Sequence, residues 1–70
     1  MQKRIKLKLL RIANDLNQVE MAKKCKVDRS SYCFIEMGQR DGSLDFWLNV
    51  KTKFNLSLNE VWAMMYESKE

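Results

Sequence analysis

The sequence predicts an all-α domain of five helices, and three observations support this fold class. The 70 residues contain no proline and two glycines, which suits helices joined by short connections. Apolar residues recur three and four positions apart, which is the period of an amphipathic helix. Residues that favour helix starts separate the apolar stretches: Asn17, Asp28, Ser43 and Ser57. The expected helices cover about residues 2–14, 18–25, 29–37, 44–54 and 58–67, in a single domain over 1–70.

The first helix carries an apolar stripe among many basic residues. Ile5, Leu9 and Ile12 recur at helical spacing, and Leu7 and Leu10 widen the stripe, so we expect this face to be buried. The basic residues fill the remaining positions: Lys3, Arg4, Lys6 and Lys8. The helix should end at 14–15, because short polar side chains compete for backbone hydrogen bonds.

The second helix should begin at an Asn17 cap, with Glu20 at the third helical position completing a capping box. Met21, Ala22 and Cys25 then share one face that suits burial. The small Ala22 would let the next helix approach closely.

The third helix follows a tight turn that Val27 closes, and Asp28 is its expected cap. Tyr32 and Ile35 lie three positions apart and should point into the core. The outward face is then formed by Arg29, Ser30, Cys33 and Phe34.

The fourth and fifth helices have clear start signals. Gly38 can supply the left-handed residue that ends the third helix, and Ser43 caps the fourth. Ser57 and Glu60 form a second capping box. The candidates for burial in the fourth helix are Leu44, Trp47, Leu48, Val50 and Phe54. The fifth helix is unusually apolar, with Val61, Trp62, Met64 and Met65.

The net charge of +4 is unevenly distributed. Residues 1–29 contain nine Lys and Arg against three Asp and Glu, whereas residues 30–70 contain four against six. This asymmetry fits a side that faces a polyanion, although a solvated lysine-rich helix would give the same count.

The composition argues against catalysis and metal binding. The chain has no histidine, and Cys25 and Cys33 lack the spacing of a zinc site, so we expect no metal or cofactor and two plain thiols. No nucleophile–base set or Gly-rich phosphate loop is recognisable, and we expect no enzyme activity and no small-molecule substrate. No apolar run is long enough to span a membrane and no signal peptide is visible, so a cytoplasmic location is expected.

The segment from Asn17 to Gly38 carries a family resemblance that extends over most of the chain. It resembles the helix-turn-helix of phage repressor and Cro-type regulators, the XRE family that includes the lambda and 434 repressors. The matching positions are Arg11, Gln18, Ala22, Tyr32, Ile35, the Glu36-Met37-Gly38 ending, Ser43-Leu44 and 56–60.

The resemblance implies a lambda-repressor-like fold and an operator-binding phage or prophage regulator in the bacterial host cytoplasm. It implies a salt bridge between Arg11 and Glu36. The residues that it implies at double-stranded DNA are Asn17, Gln18, Lys23, Arg29, Ser30, Cys33, Phe34, Gln39 and Arg40. Arg29 would read guanine, because a guanidinium can pair with both of its major-groove acceptors. A homodimer would use the apolar C-terminal part around Trp62, Met65 and Tyr66.

Three residues depart from the family pattern. Lys26 stands where the family prefers glycine, and Lys51 replaces a small residue. Phe34 lies on the outward face of the third helix, where base readers are usually polar. It could contact a thymine methyl group, anchor a protein interface or tuck against the second helix. The second hypothesis is therefore an antirepressor or modulator that keeps the fold but binds another repressor protein through this face.

Overall fold

A computed structural model describes residues 4–67 and confirms the five-helix, all-α fold class. The helices are α1 (Ile5–Ala13), α2 (Gln18–Lys24), α3 (Arg29–Glu36), α4 (Leu44–Phe54) and α5 (Leu58–Tyr66). They form a body of 28 × 25 × 22 Å. Among the described residues, no helix is long and apolar enough to cross a membrane.

The predicted caps all form, which explains why most helix starts agree with the sequence. The side chain of Asn17 accepts a hydrogen bond from the Glu20 backbone N–H at 2.8 Å, and the Glu20 carboxylate accepts one from the Asn17 N–H at 2.9 Å. Ser57 and Glu60 form the second capping box. Asp28 and Ser43 cap α3 and α4 by accepting hydrogen bonds from the backbone N–H groups of Ser31 and Phe46. Each cap satisfies backbone donors that a helix start leaves without a partner.

The core contains the buried faces that the sequence predicts for α2 and α3. Phe46 lies at its centre, with its ring centroid 6.3 Å from that of Tyr32 and 4.9 Å from that of Trp47. The fully or nearly fully buried apolar residues are Leu7, Met21, Ala22, Cys25, Tyr32, Ile35, Phe46, Trp47, Val50, Val61 and Met64. Burial also raises the pKa of the Cys25 thiol to about 11.

The prediction for α1 was wrong for Ile5, Leu9 and Ile12 but right for Leu7 and for Leu10, which is partly buried against the core. Ile5, Leu9 and Ile12 keep between 46% and 58% of their surface exposed, whereas Leu7 is fully buried. Arg4, which was assigned to the non-apolar positions, is 1% exposed. Arg4 and Leu7 are one turn apart and point into the body, so the stripe on the other side of the helix faces solvent.

Arg4 is buried because its side chain finds hydrogen-bond partners far along the chain. Its guanidinium donates to the carbonyl oxygens of Ile35 at 2.6 Å, Arg40 at 2.7 Å and Met65 at 3.3 Å. It also lies 5.4 Å from the centre of the Trp47 ring. Burial lowers the pKa of Arg4 against the opposing attraction of Asp41 and Glu67.

The backbone of Arg4 also explains why α1 begins at Ile5 rather than at 2. Arg4 has φ −81° and ψ 84°, outside the helical region, and its N–H donates to the Glu36 carbonyl at 2.9 Å. The expected helical residues 2 and 3 lie outside the described residues. The first turn of α1 is thus docked on the end of α3.

Two further burial predictions, both in α4, were wrong. Leu44 and Leu48 are exposed, because the inward side of α4 is formed by Phe46, Trp47 and Val50. In α5 the residues split: Val61 and Met64 are buried, Met65 packs partly against the core and Trp62 is exposed. Lys51 is partly buried.

Left-handed backbone conformations occur at two turns that the sequence singles out. Gly38, after α3, has φ +80°, and Lys26, between α2 and α3, has φ +60°. The first is the conformation that glycine adopts freely after a helix. At Lys26 the same region is costly for a residue with a Cβ atom, as the departure from glycine implied.

Candidate nucleic-acid interface

The side chain of Glu36, at the end of α3, is the centre of a buried polar cluster. Arg11 Nε lies 2.9 Å from Glu36 Oε2, and the Tyr32 hydroxyl donates to the same oxygen at 2.5 Å. Gln18 Nε2 is 3.4 Å from the other oxygen. The two charged side chains are 13% and 8% exposed. The salt bridge between Arg11 and Glu36 is therefore present and largely buried.

Charges in this cluster stabilise one another. Burial alone would raise the pKa of Glu36, but the hydrogen bonds from Arg11 and Tyr32 outweigh it and leave this pKa below its ordinary value. The hydrogen bond to Glu36 raises the pKa of Arg11, while burial raises that of Tyr32. The cluster joins α1 to α3 as an ionised, structural unit.

Gln18 links this cluster to the outward face of α3. Besides donating to Glu36, its side chain accepts a hydrogen bond from the Cys33 thiol, with 3.1 Å between Sγ and Oε1. Asn17, one residue earlier, is exposed and uses its side-chain oxygen in the cap of α2. These two residues thus have structural roles at the start of α2, beside the half-buried Cys33.

The outward face of α3 combines a charge, a hydroxyl and an aromatic ring. Arg29 and Ser30 are exposed in the first turn, and Phe34 is 38% exposed one turn further on. Residues at positions i and i+4 of a helix lie on the same side, so Ser30 and Phe34 are neighbours. The face therefore offers hydrogen-bond donors next to an apolar surface.

Arg40 folds back from the loop after α3 onto this face. Its guanidinium carbon is 4.8 Å from the centre of the Phe34 ring, a cation–π distance. Its Nη1 is 3.5 Å from the Ser31 hydroxyl, which in turn donates to Asp28 at 2.6 Å. Its backbone N–H also donates to the Phe34 carbonyl. The arrangement brings a loop cation onto α3.

The exposed charged side chains from α2 to the loop after α3 are mostly basic. The exposed cations of this segment are Lys23, Lys24, Lys26, Arg29 and Arg40. Two acidic residues in the same stretch, Glu20 and Asp28, are engaged in helix caps. Hydrogen bonds from Ser31 lower the pKa of Asp28, so this carboxylate stays ionised.

The structure brings together most, but not all, of the expected site. The outward face of α3 unites Arg29, Ser30, Cys33 and Phe34 with Arg40 from the loop. Lys23 in α2 and Gln39 in the loop after α3 are exposed. The residues expected at a dimer interface belong to α5, where Trp62 and Tyr66 are exposed but Met65 packs against the core.

Three residues were not anticipated at this surface. Met37, directly after α3, is 42% exposed. Val19, at the start of α2, is exposed to the same extent. Ser31 connects Asp28 to Arg40. The Asp-x-x-Ser spacing could have indicated the Asp28–Ser31 bond, but the contact with Arg40 depends on how the loop folds back.

In the described part of the chain, no group of three His, Cys, Asp or Glu side chains could hold a metal ion. No family model, curated protein or solved structure matches the sequence. The class of protein is thus defined by structure alone: an all-α domain of five helices, with a basic surface and an exposed aromatic ring on its third helix.

Proposed function

We propose that this chain is a helix-turn-helix regulator that binds double-stranded DNA, with α3 in the major groove. The observation that carries the proposal is the exposed face of α3, where Arg29, Ser30 and Phe34 lie within a basic surface. An α-helix fits the major groove, and such a face can read base edges while surrounding cations contact phosphates. The role is binding rather than catalysis.

The residues of the face take distinct roles in this proposal. Arg29, at the first position of α3, pairs with guanine, and Phe34 contacts a thymine methyl group. Lys23 and Arg40 contact phosphates on either side. Arg40 is held in place for this by the Phe34 ring and Ser31. Asn17 and Gln18 position the start of α2, whose backbone meets one DNA strand.

The resemblance to Cro-type and repressor-type regulators supplies the biological setting of the proposal. A small regulator of a phage or prophage would act on operator DNA in the cytoplasm of the bacterial host. The Arg11–Glu36 salt bridge, which the same resemblance implied, supports the likeness because it is a long-range contact.

The test is a binding titration against DNA from the genomic neighbourhood of the chain. Fluorescence anisotropy measures the affinity at several salt concentrations. Phosphate contacts release counterions, so log affinity should fall linearly with log salt. Lys23→Ala should weaken binding to all sequences and reduce the slope by about 1. Binding with no salt dependence would contradict the proposal.

Arg29→Ala tests sequence reading separately from charge. Loss of a bidentate contact should cost about 1–3 kcal/mol of discrimination and relax the preference at one position. Lys53→Ala is the matched control, since it removes one exposed positive charge from α4. An equal loss of preference in both variants would exclude Arg29 as a base reader.

A second candidate function is favoured by the apolar part of the same face. Phe34 and Met37 are 38% and 42% exposed, and Cys33 is half-buried beside them. Aromatic and Met side chains are enriched at protein interfaces. The alternative is thus an antirepressor or modulator that binds another repressor protein through the α3 face.

Paired substitutions separate the two functions. An apolar protein interface responds weakly to salt and should lose affinity with Phe34→Ala more than with Arg29→Ala. DNA binding should show the reverse order. The titrations are made with DNA alone, with the regulator encoded next to this chain, and with both together.

A further inference from the structure

A cleft with a volume of about 240 Å³ lies where α1 meets the start of α2 and the end of α3. Three of the side chains that line it are cations and one is an anion, so its lining has a net charge of +2 at pH 7. This charge favours an anionic occupant. The lining residues are Arg4, Lys8, Arg11, Gln18, Glu36 and Met37.

The three cations of the cleft come from one side of α1. Arg4, Lys8 and Arg11 follow one another four and three positions apart, which places them on the same side of a helix. The Lys8 backbone N–H donates to the Arg4 carbonyl at 3.2 Å, so this spacing holds from Arg4 onwards. Lys8 is exposed and has no ion-pair partner among residues 4–67. Its ammonium group is therefore available to a ligand.

The anion of the cleft, Glu36, is already fully engaged. Its two carboxylate oxygens accept hydrogen bonds from Arg11, Gln18 and Tyr32. Arg11 Nε lies 2.9 Å from Oε2 and compensates the charge of the carboxylate. The positive charge that remains in the lining thus belongs to Arg4 and Lys8.

Arg4 also has a nitrogen without a partner. Its Nη1 and Nη2 donate to backbone carbonyl groups, and Asp41 lies 3.7 Å from Nη2. Nε, in contrast, is the one buried side-chain nitrogen or oxygen of the described residues without a hydrogen-bond partner. A buried donor that stays unpaired costs free energy, so an acceptor is expected there. Since Arg4 is 1% exposed but lines the cleft, an acceptor from outside the protein has to approach through it.

The size and charge of the cleft limit the chemistry of the ligand. Cavities that enclose drug-sized molecules measure about 300–1,000 Å³, so this smaller cleft accepts one small group rather than a whole nucleotide. A phosphate monoester carries a charge of about −1.5 to −2 at neutral pH and presents three acceptor oxygens. A carboxylate has a single charge and two oxygens. The phosphoryl group therefore matches the cleft better.

We infer that the cleft binds the phosphoryl group of free phosphate or of a phosphate monoester, with Arg4 Nε and Lys8 Nζ as its donors. The inference goes beyond the DNA-binding proposal, because it requires no nucleic acid. The DNA backbone presents the same chemical group, and Gln18 lies both in the cleft and at the start of α2, where the proposed complex meets one DNA strand. The experiments below separate the two sources.

The first test follows the Arg4 Nε–H signal in proton–nitrogen NMR spectra while inorganic phosphate is added at neutral pH and constant ionic strength. This signal should shift and saturate, whereas that of Arg29, exposed on α3, should not move. Acetate, which has one charge, should bind at least about tenfold more weakly. The absence of a saturable shift would overturn the inference, and equal binding of acetate would overturn the assignment to a phosphoryl group.

Lys8→Gln tests the exposed donor of the cleft. It should raise the dissociation constant for phosphate at least about tenfold, because a charge-assisted hydrogen bond is lost. Lys6→Gln is the matched control, since it removes the same charge from an exposed position of α1 outside the cleft, and should change the constant less than about twofold. Equal losses in both variants would indicate diffuse electrostatic attraction and overturn the site.

Thermal melting gives an independent measurement with the same two variants. A ligand that binds only the folded chain raises its melting temperature. Phosphate should therefore stabilise the wild type and Lys6→Gln more than Lys8→Gln, whereas its general effect as a salt is common to all three. The same increase in all three proteins would contradict specific binding.

A titration with duplex DNA separates the two sources of the phosphoryl group. A shift of the Arg4 signal with DNA but not with inorganic phosphate would overturn a site for free phosphate in favour of a backbone contact. Phosphate binding by a chain without DNA affinity would refute only the proposed function. Salt-dependent DNA binding by a chain whose Arg4 signal responds to neither titration would refute only the phosphate site.

Discussion

The α2–α3 pair and α1 differ in where their polar side chains find partners. In the pair, Asn17 and Asp28 cap helices through backbone N–H groups three residues away. α1 has no side-chain cap, and its preceding residue, Arg4, bonds to carbonyl oxygens 31 to 61 residues further along the chain. One region is defined by local chemistry and the other by the assembled fold.

This difference has consequences for stability. A cap contributes about 1 kcal/mol, and its loss weakens one helix. Arg4 instead joins α1, the ends of α3 and α5 and the loop between α3 and α4, so its loss affects several elements at once. The side of α1 that faces the core carries Arg4 and Leu7 rather than the stripe of Ile5, Leu9 and Ile12.

Arg4→Ala should have the largest effect. It removes the donor that satisfies one buried and two partly buried carbonyl groups and leaves a cavity beside Trp47, so we expect a loss of about 3–5 kcal/mol in the free energy of unfolding. Urea denaturation measures it, with Lys24→Ala as a surface control expected within about 0.5 kcal/mol of wild type. A loss below about 1 kcal/mol would show that α1 docks without Arg4.

Leu7→Ala against Leu9→Ala tests which side of α1 is buried. Leu7 is fully buried, and truncation should cost about 2–4 kcal/mol, whereas Leu9 faces solvent and should cost less than about 0.5 kcal/mol. Both are measured by urea denaturation. The opposite order would show that Leu9, and not Leu7, faces the core.

Glu36→Gln tests the contact at which α1 meets α3. Losing the charge-assisted hydrogen bonds with Arg11 and Tyr32 should cost about 1–3 kcal/mol at pH 7. The pKa of Glu36 is lowered in the folded chain from 4.5, so its contribution is complete above this value and is lost as the pH falls through the folded pKa. Stability measured from pH 7 to pH 3 should therefore fall less steeply in Glu36→Gln. Parallel curves of stability against pH for the wild type and Glu36→Gln would contradict a contribution from ionised Glu36.

Lys26→Gly should have the smallest effect and the opposite sign. Lys26 has φ +60°, and glycine removes that strain, for a gain of about 0.5–1 kcal/mol. Lys23→Gly, within α2, should instead cost about 1 kcal/mol. Thermal melting of both variants compares them, and a loss at both positions would show that the turn tolerates lysine without strain.

The outward face of α3 was predictable in large part because it lies opposite a clear buried pair. Tyr32 and Ile35 identify the inner side, and helical geometry then places Arg29, Ser30 and Phe34 outside. The position of Arg40 on Phe34 was not predictable, because the loop conformation that brings it back is set by long-range contacts such as that of its carbonyl with Arg4.

The outward side of α1 shows the converse case. Ile5, Leu9 and Ile12 have an ideal apolar period, yet they are exposed. A period shows that residues share a side but not whether that side meets the core or a partner.

The amino-acid sequence by itself determined the number of helices, their caps and the buried sides of α2 and α3, because these depend on residues three or four positions apart. Only the tertiary structure decided the orientation of α1 and the solvent-facing positions of Leu44 and Leu48. The physical reason is that burial requires partners, and the partners of Arg4 lie on α3, α5 and the loop after α3.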